Sequence, residues 1–216
     1  MIKYIYFIIT LFFIMGCSFK VPQNQWQQKS TNAFNSYRKN FLSANDAIAQ
    51  SDLKRAIKHA KQSADLTQLA RVYLGKCALN ISVGMQDSCQ DYLAISDLVK
   101  SEELNAYYLF ITDSIVEEND IDKLPSYYQE YIRNLKDFKY KEVDRDILEM
   151  PRVTSTLLCA VLSKEYIDVK TRKRVIKLAS FYGYKKVVLF WLNEQKRFTK
   201  SKKEKDFINK KILILQ

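Results

Sequence analysis

The chain has 216 residues but only four glycines and three prolines. A β-sandwich or barrel of this length must turn its backbone tightly many times, and glycine and proline are the residues that allow it. Long runs without either breaker favour helices, and the apolar residues in those runs recur at helical spacing. In "SDLKRAIKHAKQSA", Leu53, Ala56, Ile57, Ala60 and Ala64 share one face. Lys54, Arg55, Lys58 and Lys61 lie elsewhere on the wheel, and Ser51 or Asp52 is the start signal. Leu66, Leu69, Val72, Tyr73, Ala78 and Leu79 predict the next helix. Others are predicted in "ELNAYYLFITDSIVEEN", in "LPSYYQEYIRNLKDF" with Pro125 in its first turn, and in "RVTSTLLCAVLSKEY". "VKTRKRVIKLASFYG", "YKKVVLFWLNEQKRF" and "KKEKDFINKKILIL" complete the series. Val187 to Leu192 is apolar without alternation and is assigned to helix. Gly183 marks a short turn between two of these segments, hence a helical hairpin. The expectation is an all-α domain over residues 31–216, built from about eight to ten helices with short connections.

The chain opens MIKYIYFIITLFFIMGC. Lys3 precedes an uncharged stretch from Tyr4 to Met15, then Gly16 and Cys17. Twelve helical residues rise ~18 Å against a hydrocarbon core of ~30 Å, so a lasting span is not expected. A charged start, a short apolar middle and a small residue at the cut site describe an export signal. Ile14-Met15-Gly16-Cys17 resembles the lipobox of bacterial lipoproteins, with an aliphatic residue three before the cysteine and a small one directly before it. Met15 departs from the residues usual at its position. The resemblance implies that residues 1–16 are removed and that Cys17 carries the lipid as the first mature residue. Residues 17–30, polar and interrupted by Pro22, then form a tether. Ser18 in place of aspartate implies the outer membrane over the inner, with the domain facing the periplasm. The competing reading of Cys17 is a buried thiol in an N-terminal helix. Each buried acyl CH₂ contributes ~0.8 kcal/mol, so two or three chains hold a soluble domain firmly.

Ala44, Gly75 and Ala106 stand 31 residues apart, each within a predicted helix. "SDLKRAIKHAKQSA" followed by "LARVYLGKCAL" resembles the tetratricopeptide repeat, with small residues where helices cross closely. The resemblance covers residues 37–135; the tryptophan, tyrosine and proline positions usual in that family are largely missing. It implies helical hairpins packed as a short repeat-like array and a surface for a protein partner.

Charge is unevenly spread. Residues 170–216 hold 15 Lys/Arg against 3 Asp/Glu, whereas residues 87–150 hold 16 acidic and 7 basic side chains. For an exported chain a basic end points to anionic lipid, acidic wall polymer or an acidic protein rather than nucleic acid. Lys200, Lys202, Lys203 and Lys205 are the candidate anionic-surface contacts; solvated helix faces are the alternative. Cys77 and Cys89 lie seven residues before and five after Gly84. If 66–82 and 87–99 form an antiparallel hairpin with Asp87 as an N-cap, the two sulfurs stand at similar heights, where a disulfide worth ~3 kcal/mol fits. Two free buried thiols are the other reading. Cys159, in "TLLCAVL", is expected in the core.

Catalytic signals are weak. The one histidine, His59, sits among lysines, which excludes a histidine-based zinc site. No glycine-rich phosphate loop is present, so no cofactor is expected. Ser51 and Lys54 match a Ser-x-x-Lys spacing without its companion Lys-Thr-Gly. Glu102-Glu103 and Glu117-Glu118 are adjacent on helices, so neither pair faces itself across a cleft as sugar hydrolysis requires. Tyr107, Tyr108, Tyr127, Tyr128 and Tyr131 concentrate in the acidic middle. They suit either a groove for a protein segment or packing between helices. The expectation is a membrane-anchored, non-enzymatic envelope adaptor or assembly factor that binds another envelope protein. The alternative is a protein that binds or hydrolyses cell-wall peptidoglycan.

Overall fold

The computed structural model describes residues 24–112 and 116–216. The signal segment 1–16, the lipobox with Cys17, and the tether up to residue 23 lie outside the described residues. Among the described residues the fold is entirely helical, and no helix there is long and apolar enough to cross a membrane. Helices α1 (Gln25–Leu42) and α2 (Asp46–Ala60) form a hairpin, and α3 (Thr67–Ser82) packs against both. Two single turns, α4 (Gln90–Leu93) and α5 (Ser96–Val99), lead to α6 (Glu102–Thr112). A third, α7 (Glu118–Ile121), precedes the pair α8 (Ser126–Lys136) and α9 (Tyr140–Glu149). After α10 (Val153–Leu162), helices α11 (Val169–Phe181), α12 (Lys185–Phe198) and α13 (Lys202–Leu215) each pack on the one before. Setting aside the three single turns, the longer helices fall within the range expected from periodicity. The architecture is an all-α, repeat-like array of hairpins.

α3 is the spine. It buries Leu69, Ala70, Val72, Leu74, Cys77, Ala78 and Leu79, and it contacts α1 and α2 as well as α6 and α10. α10 is apolar on every side, and Leu157, Leu158, Cys159 and Ala160 are all buried, as such a helix must be. Gly75 of α3 lies under the Phe34 ring of α1, where an added Cβ collides. Three helices have side-chain N-caps: Ser101 accepts from the Leu104 N–H at 3.3 Å, Asp168 from the Thr171 N–H at 2.5 Å, and Ser201 from the Glu204 N–H at 3.3 Å.

Four helices end in the same way. The N–H groups of Asn45, Met85, Lys139 and Tyr184 each donate five residues back, to Asn40, Asn80, Asn134 and Ala179 at 2.9–3.0 Å. The residue before each donor is left-handed: Ala44 (φ 66°), Gly84 (80°), Phe138 (57°) and Gly183 (68°). Glycine adopts this conformation freely, whereas Ala44 and Phe138 are each strained by roughly 1–2 kcal/mol.

Several sequence expectations are corrected. Ala44 lies in the α1–α2 turn rather than in a helix, so the 31-residue spacing does not mark three equivalent helix crossings. α2 starts at Asp46, which puts Asp52 in mid-helix. There it is buried, accepting from Asn40 Nδ2 at 2.7 Å and pairing with Arg55. The helix expected to run to Asn119 is described as far as Thr112, and Val116 and Glu117 are not helical; 87–99 forms two single turns instead of one hairpin arm. Residues 25–30 of the expected tether belong to α1, where buried Ser30 donates to the Ala56 carbonyl at 3.0 Å. α9 has no counterpart among the predicted segments.

Candidate functional site

Tyrosines from α6 and α8 meet at the centre of the molecule. The Phe110 ring lies 4.7 Å from Tyr128 and 6.2 Å, edge-on, from Tyr131; Tyr128 is 4.5 Å from Tyr127 and 6.0 Å from Tyr107. The two deepest hydroxyls are satisfied by α10 and the residue that follows it. Tyr128 pairs with Ser155 Oγ at 2.8 Å, and Tyr131 donates to the Cys159 carbonyl at 3.0 Å while pairing with Ser163. Burial pushes the hydroxyls of Tyr107, Tyr128 and Tyr131 and the Cys159 thiol above their ordinary titration ranges. Tyr128 and Tyr131 are therefore core residues, so of the two readings, groove or packing between helices, packing holds for this pair. Tyr107 and Tyr127 are half-buried around them, and Tyr108 stands apart, 5.5 Å from Tyr92. A tyrosine every few residues on two facing helices buries its rings between them and finds polar partners for its hydroxyls inside.

The concave surface lies beside this cluster. A cleft of about 440 Å³ opens where α6, α8 and α10 end, floored by Phe110, Ile132 and Leu135. Its mouth is aromatic. The Tyr140 and Tyr166 rings stack at 4.9 Å and 3°, and Phe138 meets Tyr140 edge-on at 6.3 Å. Phe138 is 74% exposed and Tyr166 is 52% exposed. A second, shallower cleft of about 770 Å³ runs from the α3–α4 loop, where Met85 is exposed, past Tyr108 and Leu109 to Lys164. Ile111, Thr112 and Leu162 line both, so the two clefts adjoin. Lys136, beside the first cleft, donates to the Val116 carbonyl at 3.0 Å.

Sequence reasoning missed Phe138, Tyr140, Tyr166 and Met85. Each sits in or next to a turn among charged or polar neighbours, and linear sequence does not show that separate turns converge.

Cys77 of α3 and Cys89 are joined as a disulfide, with their Cα atoms 5.3 Å apart. The loop between them is held by Asp87, whose Oδ1 accepts the Cys89 N–H at 2.8 Å and whose Oδ2 accepts Asn80 Nδ2 at 2.7 Å. Lys76 pairs with Asp91 at 2.7 Å alongside. The donor atoms of Cys77, Asp87 and Cys89 cluster within 4.8 Å of one another, but bonded sulfurs are not the thiolates that metals take up. Asp87 thus works as a loop brace rather than as a helix N-cap.

Lys200, Lys202 and Lys203 are exposed around the α12–α13 turn, and Lys205 is half-buried. Carboxylates accompany them. Glu204 accepts from Thr199 Oγ1 at 2.5 Å and from Gln195 at 3.1 Å, which holds its carboxyl below the usual range. Arg197 pairs with Glu165 and Glu194 at 2.5 and 2.8 Å. Ser51 and Lys54 are both exposed on α2. Among the described residues the two adjoining clefts are lined by one carboxylate each, Glu165 and Asp87.

Comparison of the chain with known protein families, curated proteins and solved structures finds no match.

Proposed function

We propose that the protein is a bacterial envelope lipoprotein, acylated at Cys17 and facing the periplasm from the outer membrane. Its helical array acts as a non-catalytic adaptor for another envelope protein. The adjoining clefts receive an extended segment of that partner, with an apolar or aromatic side chain seated in the aromatic mouth. One observation carries the reading. Phe138, a bulky residue held in left-handed backbone conformation, is turned 74% to solvent at the mouth of an apolar cleft. Strained backbone that presents a large apolar side chain to water contributes nothing to folding that glycine would not supply better. Rigid aromatic side chains around a cavity are the usual anchors of protein interfaces. Attachment at Cys17 is supported by the Ile14-Met15-Gly16-Cys17 sequence and the short apolar run before it.

The test has two arms. A photo-cross-linking residue placed at position 138 or 166 is expected, in intact cells, to yield a discrete heavier adduct that a control at exposed Lys54 does not yield. Intact mass of the native protein is expected to lack residues 1–16 and to carry acyl mass on Cys17. Monomer alone at both cleft positions overturns the adaptor, and a retained initiator methionine without acyl mass overturns the anchor.

A further inference from the structure

We propose that the tip formed by the α11–α12 turn and the last turn of α13 is a contact for an anionic lipid surface. This goes beyond the adaptor reading and does not rest on it. Phe181 is 82% exposed, Ile214 84%, Leu213 72% and Tyr182 46%. They come from two segments some thirty residues apart that the fold brings together, with Lys185 Nζ 3.4 Å from the Gln216 carbonyl oxygen. Helix phase explains why they face out. α11 buries Thr171, Val175 and Ala179, which leaves Arg174, Lys177 and Phe181 along its outer face. α13 buries Ile208 and Ile212, so Phe207, Lys210, Lys211 and Ile214 turn away from α12, with Lys211 Nζ 4.5 Å above the Phe207 ring.

The charge around these side chains has one sign. No acidic residue occurs between Asp168 and Glu194, or from 207 to 216. Asp46, the carboxylate bonded at this end, is taken by Lys186 at 2.5 Å. Protruding apolar side chains with Lys177, Lys185, Lys210 and Lys211 on the same two segments match the boundary between anionic headgroups and acyl chains. There the rings enter the interface and the ammonium groups meet phosphate. The α12–α13 turn with Lys200 to Lys205 lies at the other end of α12, about 21 Å away. It carries Glu194, Glu204 and Asp206, so the composition-based expectation of a lipid contact moves to the opposite end of the hairpin.

The experiment uses the full chain with Cys17→Ser, so that no acyl chain contributes, and with Phe181→Trp as a reporter local to the tip. Its emission is compared with that of the same chain without the reporter. On vesicles containing phosphatidylglycerol the introduced indole is expected to shift to the blue and to be quenched by brominated acyl chains. Both effects should vanish at roughly 0.5 M salt, where the Debye length is only a few Å. Lys177→Glu, Lys210→Glu and Lys211→Glu together should lower partitioning at least roughly a hundredfold, since each lysine near such a surface contributes about fivefold. Vesicle association with unchanged indole emission overturns the proposal, because attachment then runs through the apolar N-terminal segment. An equal response on neutral phosphatidylcholine overturns it as well. So does a blue shift in the absence of lipid that follows protein concentration, which would make the occupant a second copy.

Discussion

Lys186, in the first turn of α12, places its ammonium 2.5 Å from Asp46 and 3.9 Å above the Phe41 ring, joining positions 140 residues apart in sequence. This contact ties the last hairpin to the first, because Phe41 lies in the last turn of α1 and Asp46 begins α2. The Asp46 carboxylate is largely exposed, so the ion pair itself is worth little, and the ring contributes most of the effect. Lys186→Gln is expected to lower the unfolding free energy by about 1 kcal/mol in urea melts. A double-mutant cycle with Phe41→Leu should return most of that as coupling.

Phe138 separates stability from binding. Phe138→Gly removes left-handed strain and is expected to stabilise the fold by about 1 kcal/mol in thermal or urea unfolding. The same change removes the ring at the cleft mouth, so the adduct formed from position 166 in cells should fall. Ala44→Gly is the matched control, with a similar gain in stability and no loss of adduct. Equal behaviour of the two variants would leave Phe138 with no role beyond the turn.

The disulfide closes a twelve-residue separation between α3 and the loop braced by Asp87. Cys77→Ser with Cys89→Ser is expected to cost about 3 kcal/mol in the loop-entropy picture. Non-reducing digestion of the native protein should yield one linked peptide pair, and Cys159 should resist alkylation until the protein unfolds, because it is buried.

Alkaline pH provides a fourth measurement. Tyr107, Tyr128, Tyr131 and Cys159 all have folded-state titration points raised by burial. A raised acid keeps its proton in the fold and releases it on unfolding. Its contribution is therefore complete below the unfolded-state values of ~8.5 for cysteine and ~10 for tyrosine, and it is lost as pH climbs beyond them. Stability should be insensitive to these groups at neutral pH and fall steeply above about pH 10. Phenolate absorbance followed alongside helical circular dichroism checks this. Tyr128 and Tyr131 should titrate only together with the loss of helical circular dichroism.

The helices were legible where apolar spacing and breakers agree. The segments ending at Phe181 and Phe198, and that of α13, were bounded nearly to the residue, because Gly183 and the polar stretch at 199–201 punctuate them. Legibility failed where the deciding contact is distant. Asp52 looks like a helix start until Asn40, twelve residues earlier, is found holding it inside. Ala44 looks helical because nothing local announces a left-handed alanine. The five tyrosines left groove and packing both open because the partners of Tyr128 and Tyr131, namely Ser155, Cys159 and Ser163, lie on α10 and just after it, far along the chain.

By itself the sequence determined the helical class, the position of most helices and the split between an acidic middle and a basic end. Periodicity, breaker content and charge are all local quantities. Only the tertiary structure decided which tyrosines are interior, that Phe138 and Tyr166 share one cleft mouth, and that Phe181 and Ile214 share one tip. Those outcomes depend on which helix ends meet, and packing between elements far apart in the chain sets that, not the pattern within any one of them.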